Sequence, residues 1–183
     1  MDIRRTKAVL LTEPTMEYAR QIMEYRRAFL DSGESMDGTS SLRRFDDPGD
    51  WIAHTAALGC PSSVPGGHVA AAQFIFVREE DSKIVGMINA RYSFNEYLAK
   101  FGGHIGYSVA PDERRKGYAT QMLKAVLPKY KERGITRVLV TCLKGNEGSR
   151  RTILNCGGVY ESTVYDAQQE KAEIERYWID LSD

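Results

Sequence analysis

At 183 residues the chain suits a single domain, 1–183, with 42% hydrophobic content to build a sizeable core. Lysine plus arginine, 25, equals aspartate plus glutamate, 25, so there is no global basic field to argue for a nucleic-acid partner. The three cysteines (Cys60, Cys142, Cys156) and three scattered histidines (His54, His68, His104) fit neither a disulfide framework nor a metal site. No stretch approaches a membrane span and Met1-Asp2-Ile3-Arg4-Arg5 lacks the apolar run of a signal peptide, so the expectation is a reduced, cytoplasmic compartment without a membrane partner.

Val9-Leu10-Leu11 reads as a first short strand. Pro14-Thr15 introduces a helix with Met16, Ala19, Ile22, Met23, Phe29 and Leu30 on one side, ended by Gly33. The polar segment from Glu34 to Gly49 reads as a loop, and Trp51 to Leu58 as a short helix with Asp50 as its cap. After the turn cluster from Cys60 to Gly67, Val69–Val77 and Lys83–Tyr92 read as strands joined by the charged tip Glu79-Glu80-Asp81-Ser82. Tyr92 to Phe101 is a longer connection.

The next stretch organises the chain. Ile105–Val109 is a strand of β-branched, aromatic and small residues closed by Pro111, which completes an antiparallel meander. A basic turn, Asp112-Glu113-Arg114-Arg115-Lys116-Gly117, opens a helix with Ala119, Met122, Leu123, Val126, Leu127 and Tyr130 on one face, Pro128 within it and Gly134 beyond it. Unpaired N–H groups at that helix start converge where the helix dipole favours an anion, and Gly117 lets the backbone approach closely. The expected ligand is a phosphate or pyrophosphate.

Arg137–Leu143 is apolar enough to be buried on both faces, so strand, helix and strand imply a parallel pair with a right-handed crossover. Asn146 caps a helix to Asn155, Gly157-Gly158 ends it, and Val159–Tyr165 with Ile174–Leu181 makes a last hairpin. The order β-α-α-β-β-β-α-β-α-β-β describes an α+β domain whose mixed sheet is mostly antiparallel.

Arg114-x-x-Gly117-x-Ala119, directly after the strand ending Val109-Ala110-Pro111, resembles motif A of the GNAT superfamily of acyl-CoA-dependent N-acyltransferases. That signature is Arg or Gln, two residues, Gly, one residue, then Gly or Ala. The runs Asn95-Glu96-Tyr97-Leu98, Gly102-Gly103-His104-Ile105-Gly106-Tyr107 and Arg176-Tyr177-Trp178-Ile179 also look like a bacterial subgroup described as predicted acetyltransferases. The resemblance implies the GNAT fold, acetyl-CoA as acyl donor, and transfer to an amine of a small molecule or peptide. It also implies a division into a variable acceptor-side part (1–68), an acetyl-CoA-binding core (69–156) and a C-terminal hairpin (157–183). Alternatives are an acyl-CoA-binding module without catalysis, or an enzyme acting on protein N-termini or lysines. A nucleotide-binding protein is disfavoured, since no Gly-Lys-Ser/Thr follows the turn. A homodimer through the C-terminal strands is a further expectation from resemblance.

For the donor, the resemblance implies that Arg114, Arg115, Lys116, Gly117, Tyr118, Ala119 and Thr120 cradle the pyrophosphate. It has the backbone of Ser108, Val109 and Ala110 bonding the pantetheine arm, with an N–H near Val109 facing the developing oxyanion. Asn146 and Ser149 match the family's Asn-x-x-Ala/Ser; Asn146 reads equally as a helix cap. His104 stands where many members carry a glutamate that acts through water, and an imidazole with a pKa near ~6.5 accepts a proton at neutral pH without much tuning. Glu96 is the reserve base. Many members carry a general-acid tyrosine seven residues after the asparagine; here that residue is Ile153, and Tyr107, Tyr160 and Tyr177 remain as alternatives.

Overall fold

A computed structural model describes residues 8–64 and 66–182. The elements run β1 (Val9–Thr12), α1 (Ala19–Ser32), α2 (Pro48–Gly59), β2 (Ala71–Arg78), β3 (Lys83–Arg91) and β4 (Ile105–Val109), then α3 (Tyr118–Lys131), β5 (Arg137–Leu143), α4 (Glu147–Asn155), β6 (Gly158–Asp166) and β7 (Ala172–Asp180). They build one seven-stranded sheet in the order β1-β2-β3-β4-β5-β7-β6. Every neighbouring pair is antiparallel except β4 and β5.

That exception shapes the molecule. Along β3, β4 is paired over its whole length, from Gly86 opposite Val109 to Ala90 opposite Ile105. Against β5 the register holds at Ile105 opposite Val140, and Gly106 to Val109 then splay away, leaving a wedge between two halves of the sheet. Strand β5 can serve as the far wall because Val138, Leu139 and Val140 are fully buried, as a run apolar on both faces predicts.

Helices cover both faces. On one, α3 lays Met122, Leu123, Val126 and Tyr130 onto Phe74, Ile88, Val138 and Val140. On the other, Ile22, Phe29 and Trp51 of α1 and α2 pack with Leu42, Ile75 and Met87. A fully buried side chain of this size contributes roughly 1.5–3 kcal/mol, so the two cores hold the layers together.

Three local expectations shift. The buried face of α1 is Ile22, Tyr25 and Phe29, while Met16 and Leu30 are exposed. A 3₁₀ turn over Met16–Tyr18 changes the phase before the α-helix begins, and Tyr25 brings an apolar ring with a polar tip. Helix α2 starts at Pro48, and its cap is Asp47 rather than Asp50: the Asp47 carboxylate accepts the N–H of Asp50 at 3.1 Å. Proline suits the first helical position, where its missing N–H costs nothing. The connection after Tyr92 carries a helical turn of its own, Leu98–Gly102. Among the described residues no helix is long and apolar enough to cross a membrane.

Candidate active site

The wedge opens into a cleft of about 1300 Å³ that runs from the start of α3, past β4, to the loop after α1 and the turn between β6 and β7. Its two ends differ in construction.

One end is made of backbone. Gly117 holds φ 83° at the N-cap of α3, and no side chain caps the helix, so the first-turn N–H groups of Tyr118, Ala119 and Thr120 face the cleft these residues line. Arg115 also has positive φ, 62°, a conformation that costs a non-glycine residue about 1 kcal/mol or more and that re-aims the turn. Beneath it, Glu113 is buried and accepts from Arg78 at 2.8 and 3.2 Å, from Lys83 at 2.9 Å and from Lys116 at 2.8 Å. Burial pushes the Glu113 pKa up, but the bonds from Arg78, Lys116 and Lys83 overcome this and hold it at about 2. The turn is thus pinned from below by a satisfied charge cluster. Arg114 reaches the other way, pairing with Glu34 at 2.6 Å over the ring of Phe29.

The floor of the wedge carries a phenol. Tyr107 projects from β4 to the first turn of α4, where its hydroxyl meets Ser149 Oγ at 2.7 Å. Burial raises its pKa, so the phenol stays protonated well above neutrality. Asn146 caps α4 by accepting the N–H of Ser149 at 3.1 Å. Cys142 also lines the floor; burial pushes its thiol up to about 11, which disfavours the thiolate a nucleophile needs.

The other end is tied by side chains. The loop after α1 crosses β4 so closely that a Cβ on Gly38, at φ 67°, would meet the Gly106 carbonyl oxygen at 2.2 Å. The buried Gln73 amide holds that loop, donating to the Gly38 carbonyl at 2.9 Å and accepting from Ser40 Oγ at 2.7 Å. Asn89 donates to the same Ser40 hydroxyl at 3.0 Å, and the Trp51 indole N–H donates to the Thr39 carbonyl at 2.8 Å. Ser108 Oγ donates to the Asp37 carbonyl at 2.6 Å and lies 3.0 Å from the Tyr25 hydroxyl. With the serine proton committed to Asp37, Tyr25 is the donor of that second bond. Asp37, Glu34, Arg91, Tyr97 and Phe101 line this end. Tyr97 is held by its hydroxyl bond of 2.8 Å to Asp166, which also accepts the N–H groups of Gln168, Gln169 and Glu170.

The profile of the Acetyltransferase (GNAT) family matches residues 36–157. The chain belongs to that family. As a GNAT enzyme it is an N-acetyltransferase, and the general reaction is transfer of an acetyl group from acetyl-CoA to an amine. No curated protein sequence matches it significantly. Solved GNAT structures superpose along nearly its whole length. The ribosomal-protein-S5-alanine acetyltransferase of Vibrio fischeri does so with TM-score 0.72 at 16% identity, covering 96% of this chain and 94% of its own. RimJ of Mycobacterium smegmatis, solved with CoA-disulfide, gives 0.68 at 17%, covering 96% and 83%. The microcin C7 self-immunity acetyltransferase, solved with acetyl-CoA and AMP, gives 0.67 at 16%, covering 94% and 92%. At these identities the likeness shows the fold.

Most residues that the GNAT motifs single out meet in the cleft: Ser108, Val109, Arg114, Arg115, Gly117, Tyr118, Ala119, Thr120, Asn146 and Ser149. Four do not line it. Ala110 is buried and its N–H is already bonded to the Val85 carbonyl at 3.0 Å, so it has no donor for a ligand. Lys116 turns away to Glu113 and to the Asp112 carbonyl. Glu96 is exposed on the turn after Asn95. His104, 6% exposed, points into the protein, where its ring packs with Phe94, Tyr130 and Trp178 and its Nδ1 accepts the Leu139 N–H at 2.9 Å. Burial and the nearby Arg91 charge bring the His104 pKa down to about 4. A base needs a free lone pair facing the substrate; that nitrogen is spent on β5, so the sequence expectation for His104 is corrected to a structural role.

Of the three tyrosines left open, Tyr107 alone reaches the wedge. Tyr160 is exposed and bonded to Thr163, and Tyr177 is buried with its hydroxyl on Glu175 at 2.6 Å. Ile153 is fully buried in the core. Sequence reading passed over Arg91, Asp37 and Gly38. The signal for Arg91 was present: a charge ends the otherwise apolar run Ile84–Ala90, in phase with Asn89 on the face opposite Ile88.

Proposed function

We propose that the wedge and the α3 turn hold acetyl-CoA, and that this chain's own side chains move the two protons the transfer requires. The observation that carries the assignment is an uncapped helix N-terminus at a left-handed glycine, opening directly into the gap left by β4. Its N–H groups and Arg115 suit a pyrophosphate, and the strand edge released from β5 suits a chain of amides. Bound there, acetyl-CoA supplies an activated thioester carbonyl. The backbone of Gly106–Val109, with an N–H near Val109 in the oxyanion role, offers preorganised donors that need no reorganisation. Tyr107, kept protonated and steadied by Ser149, stands in for the tyrosine missing at Ile153 and supplies the proton taken up as the C–S bond breaks. Asp37, fixed against β4 through Ser108, takes the proton the attacking ammonium must lose. Asn146 and Ser149 border the same channel.

We assign the acceptor to the end of the cleft built by the part of the chain before β2, and place the enzyme in the cytoplasm, consistent with its free thiols. We assign the contact of a homodimer to β6, the outer strand, which exposes Val159, Tyr160 and Tyr165.

Isothermal titration of acetyl-CoA against the wild type and Gly117→Trp tests the cradle. Micromolar binding abolished by the variant is expected; absence of binding to the folded wild type overturns the reading. In a thiol-release assay Tyr107→Phe should lower kcat by about 100-fold with little change in the acetyl-CoA Kd, the size usual for loss of a general acid.

A further inference from the structure

The acceptor end of the cleft contains a cation that the reaction, as assigned above, does not use. Arg91 closes β3 on the face shared with Asn89 and Gln73, and its guanidinium lines the cleft. Nη1 donates to two carbonyls, Gly102 and Gly103, each at 3.0 Å, which fixes the plane of the group. Those bonds are to neutral acceptors; among the described residues no carboxylate forms an ion pair with it. The second nitrogen, Nη2, lies over β4, 3.0 Å from where a Cβ on residue 106 would stand, and residue 106 is glycine. Gly38 closes in on that same spot from the loop, at 3.3 Å. Gly106 lies two residues from Ser108, on the strand where the thioester is assigned. Arg91 is half-buried at the mouth of the acceptor end, and partial desolvation lowers its pKa. A partly desolvated guanidinium held by neutral carbonyls alone is stabilised most by a planar anion that matches its fork. Asp37, on the same stretch of wall, lies within electrostatic reach of it.

We infer that the acceptor is an amine that also carries a carboxylate, with the carboxylate seated on the Arg91 guanidinium from the cleft side and the ammonium directed towards Asp37. A cation and an anion on one wall suit a zwitterion, and neither a polyamine nor an apolar amine would satisfy Arg91. The inference rests on the wedge being the acetyl-CoA site, and the test separates the two.

The protein saturated with CoA is titrated with α-, β- and γ-amino acids, with the matching carboxamides and decarboxylated amines, and with aminoalkyl phosphates; the acetyl-CoA Kd is measured alongside. At least one amino acid should bind and be acetylated, with its amide and decarboxylated forms at least about tenfold weaker, the scale of one lost charge-assisted bond. Arg91→Gln should erase that preference by raising KM for the acid while leaving the acetyl-CoA Kd unchanged. Because Arg91 also anchors Gly102 and Gly103, Arg91→Lys serves as the milder variant and should retain part of the preference. The wild-type comparison stands without either. Equal binding of acid and amide, no binding by any amino acid, or preference for a phosphate overturns the inference while acetyl-CoA binding persists; loss of acetyl-CoA binding itself overturns the underlying reading.

Discussion

The two ends of the cleft solve the same problem, fixing a ligand, by different means. The donor end is contiguous sequence: strand, turn and helix from Ile105 to Thr120, whose functional groups are mainly backbone N–H groups set by one glycine and a buried charge cluster. The acceptor end is assembled from segments as distant as Tyr25, Gly38, Gln73, Asn89 and Ser108, held by side-chain bonds that replace regular structure. In the function proposed above, the first serves any CoA thioester and the second is particular to one acceptor. Damage to one end should therefore spare the other.

Gly38→Ala is the sharpest break. Its methyl would collide with the Gly106 carbonyl, so the loop has to lift from β4. Misplacement of about 1 Å costs on the order of 100-fold, so kcat/KM for the acceptor should fall by roughly that factor while titration gives an unchanged acetyl-CoA Kd. Equal damage to both would refute the separation.

His104 ties β4 to β5 and tests the wedge itself. Replacing it with alanine leaves the Leu139 N–H unpartnered and should lower the free energy of urea unfolding by about 1–3 kcal/mol, without the loss of chemistry expected of a base. Its pKa of about 4 in the folded protein lies below the unfolded value near 6.5, so the stability it gives is complete above pH 6.5 and drains as pH falls towards 4. Unfolding measured across that window should show the slope. His104→Asn, whose side-chain oxygen takes over the acceptor role, should flatten it.

Gly117→Ala probes the donor end gently. Nothing blocks the methyl, since the nearest atom, Gln121 Nε2, is 3.8 Å away, but φ of 83° strains it by about 1–2 kcal/mol. An acetyl-CoA Kd raised about tenfold, with the acceptor KM unchanged, is the expected titration result. The smallest effect is Asp47→Ala. Removing the cap of α2 should cost about 1 kcal/mol in thermal or urea unfolding and leave acetyl-CoA binding intact.

The same contrast explains what could be read from sequence. Motif A, the β4 boundaries and the buried run of β5 were legible because periodicity, glycine and a helix start are local signals. The strand-helix-strand length gave the parallel pair. The acceptor end was not legible, because nothing local says that Gln73 reaches Ser40 or that Tyr25 reaches Ser108. His104 misled for a related reason. Its chemistry suited a base and its position matched a motif, but which way a side chain leaves the end of a strand depends on the backbone before it, here Gly103 at φ 64° and ψ −168°. Asp50 was passed over for Asp47 because Pro48 extends the helix by a turn.

The sheet crosses its own midline on little more than the Ile105–Val140 pairing and the His104 bonds to Leu139, with α3 and α4 bridging above. Mechanically it is two plates on one stud. The α3 core packs on both plates, so native-state hydrogen exchange in the free enzyme should show two protection levels, the β4 amides that face the gap exchanging faster than the rest of the sheet. A ligand filling the gap would act as the missing rung, merging the two protection levels into one as occupancy rises.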